Sequence, residues 1–318
     1  MAPAITNTLF DVLIVGGGPA GLSAALTLTR AMRNVLLCTK GKTRNAWSDE
    51  MHGYLTRDGI SPQEFLQLGF QEIRKYGARI EETEIVKAER CADHFEVCTE
   101  DGRTLRAKKL LITTGVCDKL PKIEGFERYY GSSIHHCPYC DGWEHRGERI
   151  AVYAQGGGAA SVPYVLQGWS DKVTLCTDGA TVLNAFDRDL LACNNVAVTE
   201  KKIARVEGNG KQVQRLVFDD GTTLPCDTIF FATGSEPRSN LPHQLGCKLT
   251  KKGNVKTDKF QQTNVGGLYV AGDAARDMQL VIVAAAEGAK AAVAINMALQ
   301  EEAKKLPIVS QAMENGNS

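Results

Sequence analysis

The sequence predicts an α/β protein of two Rossmann-like, three-layer ββα nucleotide-binding domains, the second inserted into the first. Three observations predict it. The run Phe10-Asp-Val-Leu-Ile-Val15 leads straight into Gly16-Gly17-Gly18-Pro19-Ala20-Gly21 and then a helical pattern, the strand, G-x-G-x-x-G, helix order that a dinucleotide cradle requires. Residues 101–115 (DGRTLRAKKLLITTG) are matched at a constant offset by residues 220–234 (DGTTLPCDTIFFATG). Another strand and glycine loop, Ile150–Tyr153 then Gly156-Gly157-Gly158, stand before the second copy, and segments of the first domain resume near Gly267. The predicted domains are therefore 1–117 with 248–318, and 118–247 between them.

A chain of 318 residues is long enough for two cores. Its 37 acidic and 37 basic residues balance, so no charge argument favours nucleic acid or an anionic membrane. Ten cysteines are many, yet Cys38, Cys98 and Cys176 sit singly in apolar runs, where a thiol behaves as a small hydrophobe. Asp11 breaks the only early apolar run, so no secretory leader is expected. The stretch Val281–Leu299 contains Glu287 and Lys290 and reads as a buried helix rather than a membrane span. A reducing, cytoplasmic location follows, where an isolated CxxC pair tends to be catalytic.

Taken in order, residues 10–15 are a buried parallel strand. Gly16 makes the tight turn, Gly18 admits a pyrophosphate, and Gly21 lets the helix from Leu22 to about Arg33 pack on the strand. The phosphates then meet free N–H groups at that helix's start. Val35–Cys38 is the next strand. An acidic residue usually holds the ribose at its end; here Thr39-Lys40 follows, leaving a hydroxyl to substitute. Residues 44–58 read as loop. Ser61 to Tyr76 reads as a helix, with Pro62 in the first turn and Ser61 and Glu64 forming a capping box. Strands are expected over Ile80–Arg90 and Phe95–Thr99, then a hairpin turn at Asp101-Gly102, then a buried strand over Leu110–Thr114 ending in Gly115. Near the end, Gly267–Ala271 is a strand, Gly272-Asp273 can hold a sugar hydroxyl, and a helix from Gln279 to Glu302 can turn its N-terminus to the electron-rich edge of a ring system.

The chemistry centres on His135-His136-Cys137-Pro138-Tyr139-Cys140-Asp141-Gly142. Two cysteines at this spacing can close a small disulfide or open to a dithiol with one sulfur held as thiolate. A structural zinc site needs four ligands, usually from a second Cys or His pair. No second cysteine pair is nearby, only His135, His136 and His145. Two-electron redox chemistry is the better reading, and no metal is expected.

The glycine fingerprint, the Cys137–Cys140 pair with Asp141-Gly142, the inserted second unit and Gly272-Asp273 together resemble the low-molecular-weight thioredoxin reductase family over nearly the whole chain. The resemblance implies FAD as cofactor, a homodimer, and a small-molecule dithiol or thioredoxin-like protein as partner, with no nucleic acid or membrane. It implies that Gly16, Gly18 and Gly21 face the FAD pyrophosphate, Val86 the adenine, and Gly272-Asp273 with Gln279 the flavin end, with Pro19 and Ala20 also in the cofactor site. Thr39, Asn45, His52, Thr114, Gly115 and Leu280 complete the cofactor site it implies. It also implies that the cysteines lie over the isoalloxazine, Cys140 nearer the flavin and Cys137 exchanging with substrate.

The departures from the family pattern are as informative. Ile150–Tyr153 runs into Ala154-Gln155 before any glycine, and Pro163 follows close behind. No Lys or Arg occurs between Val173 and Asp187, so a 2′-phosphate finds no cationic fork there. Asp178 stands where an NAD site keeps its ribose carboxylate, and equally where an Asp-Gly turn begins. The altered pattern, with Arg44-Asn45-Ala46, Met51-His52 and His136 before the first cysteine, resembles the branch containing dithiol oxidases of the gliotoxin type; ferredoxin- or flavin-linked thioredoxin reductase-like proteins share the same loss. The expected activity is FAD-dependent dithiol oxidation without NADPH, electrons passing to dioxygen. His136, or His135, is the candidate base and Asp141 the candidate acid. A disulfide reductase fed by NADH, ferredoxin or another flavin is the alternative, and a flavin redox sensor with little turnover the alternative of another class.

Overall fold

The computed structural model describes residues 8–156, 158–179 and 183–304. It is a mixed α/β structure in two units, residues 1–43, 63–116 and 237–318 forming one, with a mixed sheet whose core is parallel, and residues 44–62 and 117–236 the other, with a parallel sheet.

In the first unit the elements are β1 (Leu9–Val15), α1 (Pro19–Arg30), β2 (Val35–Thr39), α2 (Pro62–Lys75), β3 (Arg79–Glu82), β4 (Ile85–Arg90), β5 (Phe95–Thr99) and β6 (Thr104–Ile112). The sheet order is β3-β2-β1-β6-β5-β4. β1 lies between β2 and β6, parallel to both, and five of its residues are almost wholly buried, as strands covered on both faces must be. The expected strand over Ile80–Arg90 is two strands. The chain changes partner at Thr83-Glu84, from a parallel pairing with β2 to an antiparallel one with β5. α1 begins at Pro19, earlier than the apolar pattern suggested, because proline's fixed φ suits the first helical position. It ends at Arg30, and Met32 takes a left-handed φ of 62°.

The second unit opens with β7 (Val116–Asp118), then β8 (Ile134–His135), α3 (Pro138–Asp141), β9 (Ile150–Ala154), α4 (Ser161–Leu166), β10 (Val173–Cys176), α5 (Ala185–Cys193) and β11 (Ala197–Thr199). An antiparallel sheet follows, β12 (Ile203–Asn209), β13 (Gln212–Phe218) and β14 (Thr223–Pro225), then β15 (Thr228–Ala232) and β16 (Ser235–Pro237). The parallel sheet runs β11-β10-β9-β15-β8. Both Asp-Gly turns of the repeat form, with Gly102 at φ 84° and Gly221 at φ 80°. The copies differ afterwards. β6 is one strand of nine residues, whereas Pro225-Cys226-Asp227 breaks its counterpart into β14 and β15 in different sheets.

The chain re-enters the first unit at Pro237 rather than near 248. The reason is α6 (Leu241–Gln244): Leu241 joins the first unit's core, and the Gln244 amide both accepts from the Ala88 N–H and donates to the Val86 carbonyl on β4. Residues 44–62, which sequence alone placed within the first domain, group with the second. Arg44 pairs with Asp118, Asp49 with Lys211, and Trp47 lies against Gly131.

β17 (Leu268–Val270) pairs with the second half of β6, and α7 (Val281–Lys304) closes the chain. α7 is long and apolar enough to cross a membrane by composition alone, but its apolar face is used inside the unit: Ala284, Gly288, Ala291, Ala292, Ile295 and Leu299 are buried. Gly288 sits so close to α1 that a Cβ there would lie 2.0 Å from the Ala20 carbonyl oxygen. Gly288→Ala must therefore push two helices apart, and should cost about 1–3 kcal/mol. Val293→Ala on the exposed face of α7 (51 % accessible) should change stability by less than about 0.5 kcal/mol. Denaturant midpoints of the two variants against the parent check this.

Candidate active site

The glycine loop of the first unit is held by sterics that can be read atom by atom. Gly16 has φ 117°, and a Cβ on it would meet the Thr113 carbonyl oxygen at 2.5 Å. A Cβ on Gly21 would strike the Gly16 carbonyl oxygen at 1.9 Å. At Gly18 the nearest atom is the Thr43 methyl, 3.9 Å away, so the loop is open there. Thr113 donates its hydroxyl to the Gly16 carbonyl at 2.8 Å and ties the loop to the end of β6. Sequence reasoning stopped at Thr114 and Gly115; the repeated Thr-Gly was the available signal. Thr39 packs its hydroxyl against Gly17. Gly272, at φ 78°, lies beside Ala20, and Leu280 leads into α7, its carbonyl accepting from the Ala284 N–H. Val86 is half exposed on β4, where the pairing with β5 skips it. Pro19, Ala20, Thr114, Gly115, Asp273 and Gln279 all belong to this unit, while Asn45 and His52 fall in the other. His52 lies within 3.6–3.7 Å of carboxylates of Glu50, Asp58 and Glu144.

The counterpart loop of the second unit is different. β9 ends at Ala154, and α4 starts only at Ser161 and has six residues against twelve in α1. Gln155 donates its amide to the Thr177 carbonyl. Asp178, at φ 54°, accepts the Ile203 backbone N–H at 2.8 Å, a long-range tie to β12 that engages one carboxylate oxygen. Gly157 lies outside the described residues.

Cys137 and Cys140 are joined as a disulfide, their Cα atoms 5.3 Å apart, with Cys137 capping the short helix α3. Two charged clusters involve the residues on either side of the bridge in sequence, His136 and Asp141. In one, Asp118 accepts from Arg44 Nε at 2.9 Å and from the Tyr130 hydroxyl at 2.6 Å, and His136 Nδ1 lies 3.7 Å away. Burial pushes the Asp118 carboxyl up, but Arg44, with the Tyr130 hydroxyl, holds it below the ordinary carboxylate range. Burial, and next the charge of Arg44, hold His136 down to about 4, so its imidazole is neutral near pH 7 and a weaker base than a free one. In the other cluster, Asp141 lies 3.2 Å from His135 Nδ1. Burial pushes Asp141 up, but its hydrogen bond with His135 outweighs that and holds the carboxyl below its ordinary range. Arg44, Asp118 and Tyr130 were not among the residues sequence reasoning singled out for the site; nothing local marks them, since the Arg44–Asp118 pair spans 74 positions.

The family model for pyridine nucleotide-disulphide oxidoreductases matches residues 10–288. The chain belongs to that family. Within it, the chain is 32 % identical to the thioredoxin reductase tcpT of Claviceps purpurea, over 84 % of this chain and 87 % of the relative. The crystal structure of HlmI superposes with a TM-score of 0.93 at 32 % identity, covering 96 % of this chain and 97 % of HlmI. An oxidoreductase from Agrobacterium tumefaciens gives 0.86 at 32 % identity, covering 92 % and 99 %. The chain is thus a thioredoxin reductase-like flavin disulfide oxidoreductase with the two-domain Rossmann-like fold of that group.

His136 makes a pH signature measurable. Its folded pKa lies below the 6.5 of an unperturbed histidine. Below pH 6.5 the unfolded chain takes a proton that the folded chain refuses, so stability is lost as pH falls from 6.5 towards 4. His136→Gln removes that loss. The melting temperature of the variant relative to the parent should rise between pH 7.5 and 4.5, read by thermal shift.

Proposed function

We propose that this chain is an FAD-dependent dithiol oxidase that turns over a Cys137–Cys140 redox disulfide without NADPH and delivers electrons to dioxygen. The observation that carries the reading is the state of the second nucleotide loop. Its helix is short, Asp178 is spent on the Ile203 N–H, and no cation lies between Val173 and Asp187. The first loop, by contrast, fits FAD: Gly18 leaves room for a pyrophosphate, and α1 begins without a side-chain cap, so its N–H groups are available. Gly16, Gly18, Pro19, Ala20 and Gly21 would hold the phosphates, Val86 the adenine, and Thr114, Gly115, Gly272, Asp273, Gln279 and Leu280, with Thr39, Asn45 and His52, the rest of the cofactor.

The chain's own chemistry is thiol exchange. A substrate thiolate attacks Cys137, Cys140 leaves as thiolate, and the substrate's second thiol releases Cys137 as the product disulfide forms. His136, with Asp118 3.7 Å away, is the proposed relay for the substrate proton, and its low proton affinity passes that proton on to solvent. Bound FAD supplies the two-electron acceptor that returns the cysteine pair to the disulfide. A small dithiol is the proposed substrate and a homodimer the proposed assembly. A cytoplasmic location is supported by the eight other cysteines, all unpaired. The names of the relatives favour one rival, a disulfide reductase fed by NADH, ferredoxin or another flavin; a redox sensor would turn over little.

An oxygen electrode separates these readings. Purified protein should be yellow and consume oxygen when given dithiothreitol with no nucleotide present. Cys137→Ser and Cys140→Ser should each lower that rate on the order of 10³-fold or more while keeping the flavin. Anaerobic bleaching by NADPH at low concentration, or dithiol bleaching that air does not reverse, overturns the proposal.

A further inference from the structure

The hairpin that joins β4 to β5 carries a group of side chains that the redox chemistry does not use. It belongs to the first unit, whereas Cys137 and Cys140 belong to the second. β4 ends at Arg90 and β5 opens at Phe95, which pair with each other, so Cys91 and His94 stand opposite one another at the start of the loop. The Cys91 N–H donates to the His94 carbonyl at 2.9 Å and closes it. Arg90 donates to the His94 carbonyl at 2.9 Å and to the Cys91 carbonyl as well, so the loop backbone is held at both ends.

Residues two apart on a strand share a face, and so do directly opposed residues. Cys91, His94 and Glu96 therefore meet on one side of the hairpin. One ligand atom from each lies within 4.8 Å of the others, the one such group of three among the described residues. Cys91 is unpaired and half-buried.

The distances inside the group are those of a metal site. His94 Nδ1 lies 2.8 Å from Asp93 Oδ1, so Nδ1 carries the hydrogen and Nε2 presents its lone pair. Nε2 is 3.4 Å from Glu96 Oε1, long for a hydrogen bond. Zinc bonds of about 2.0–2.2 Å at a tetrahedral angle set a nitrogen and an oxygen ligand about 3.4 Å apart. Arg106, opposite Glu96 on β6, donates to the same carboxylate at 2.8 Å and orients it. Glu89 faces Glu96 across the ladder and pairs with Lys87. Two carboxylates placed opposite each other repel, and a cation between their side chains relieves that.

We propose that Cys91, His94 and Glu96 form a zinc site on the β4–β5 hairpin, with Asp93 setting the histidine tautomer and water completing the tetrahedron. A thiolate, an imidazole and a carboxylate together suit a borderline divalent ion, and zinc accepts all three. The ion replaces the Cys91 thiol proton, which passes to solvent, and no electron moves. Bound zinc clips the two strands together at the loop and masks the Cys91 sulfur from oxidants and alkylating agents. The site stands independently of the redox reading, and either can fail without the other.

The test titrates Zn²⁺ alone into the full flavin-loaded chain, stripped of metal and kept free of dithiol so that Cys137–Cys140 stays closed. The parent should take up one Zn²⁺ per chain at micromolar concentration, read by competition with a chromophoric chelator. Cys91→Ser and His94→Ala should each abolish that uptake, and Asp93→Asn should weaken it about tenfold or more. The metal-free variants should keep the parent's flavin absorbance and melting temperature, since the loop lies at the surface. The second readout is the rate of Cys91 alkylation by iodoacetamide, followed by peptide mass. Zinc should slow it about tenfold or more in the parent and leave it unchanged in His94→Ala. Zinc uptake that survives His94→Ala, uptake only at millimolar zinc, or Cys91 alkylation that zinc does not slow overturns the proposal.

Discussion

Opening a small disulfide places negative charge on a sulfur that is partly shielded from water, and an uncompensated charge there is costly. The side chains around Cys137–Cys140 are arranged to meet that constraint. On one side, a cation and a phenol fix a carboxylate beside a neutral imidazole. On the other, the Asp141 carboxylate faces His135, which meets His145 backed by Glu148. β8 aims His135 into the unit from a strand shared with β15, and the Cys137–Asp141 turn brings the carboxylate back to meet it. The sheet of the second unit thus serves as a platform for charge as well as a core.

The two copies of the nucleotide-binding plan show what physical wear on such a cradle looks like. In the glycine loop of the first unit, Gly16 and Gly21 each meet a backbone atom that forbids a side chain, and Gly18 faces open space. In the second unit the parallel sheet survives intact, because it is held by hydrophobic burial that has nothing to do with nucleotides. What has changed is the loop above it: Gln155 and Asp178 have turned their polar atoms onto neighbouring backbone. A fold can outlast the binding function it carried.

Much of this was legible in the amino-acid order. Gly16, Gly18 and Gly21 announce themselves since close backbone approach leaves a covalent trace, the missing Cβ. The Asp-Gly turns and the repeat are local too, and both formed. Signals that depend on distant pairing left no such trace. Asp118 looks like any polar residue after a strand until Arg44 arrives beside it. His145 and Glu148 are three apart in an irregular turn, where no period marks them. Of the adjacent histidines, sequence reasoning favoured His136 as the base, and gave no hint that His135 is the one that reaches Asp141. The domain edges missed for a similar reason: α6 belongs with β4 through one glutamine amide, and residues 44–62 belong elsewhere through an arginine, an aspartate and a tryptophan.

That placement of residues 44–62 has a practical corollary for anyone wishing to graft the cysteine-bearing unit onto another scaffold. A cassette cut at the two visible junctions, near 117 and 236, would carry Asp118 and Tyr130 but leave their guanidinium behind. The transplanted carboxylate would then be desolvated with no counter-ion, and His136 would lose the neighbour that keeps it uncharged. The unit is portable only as two pieces of chain.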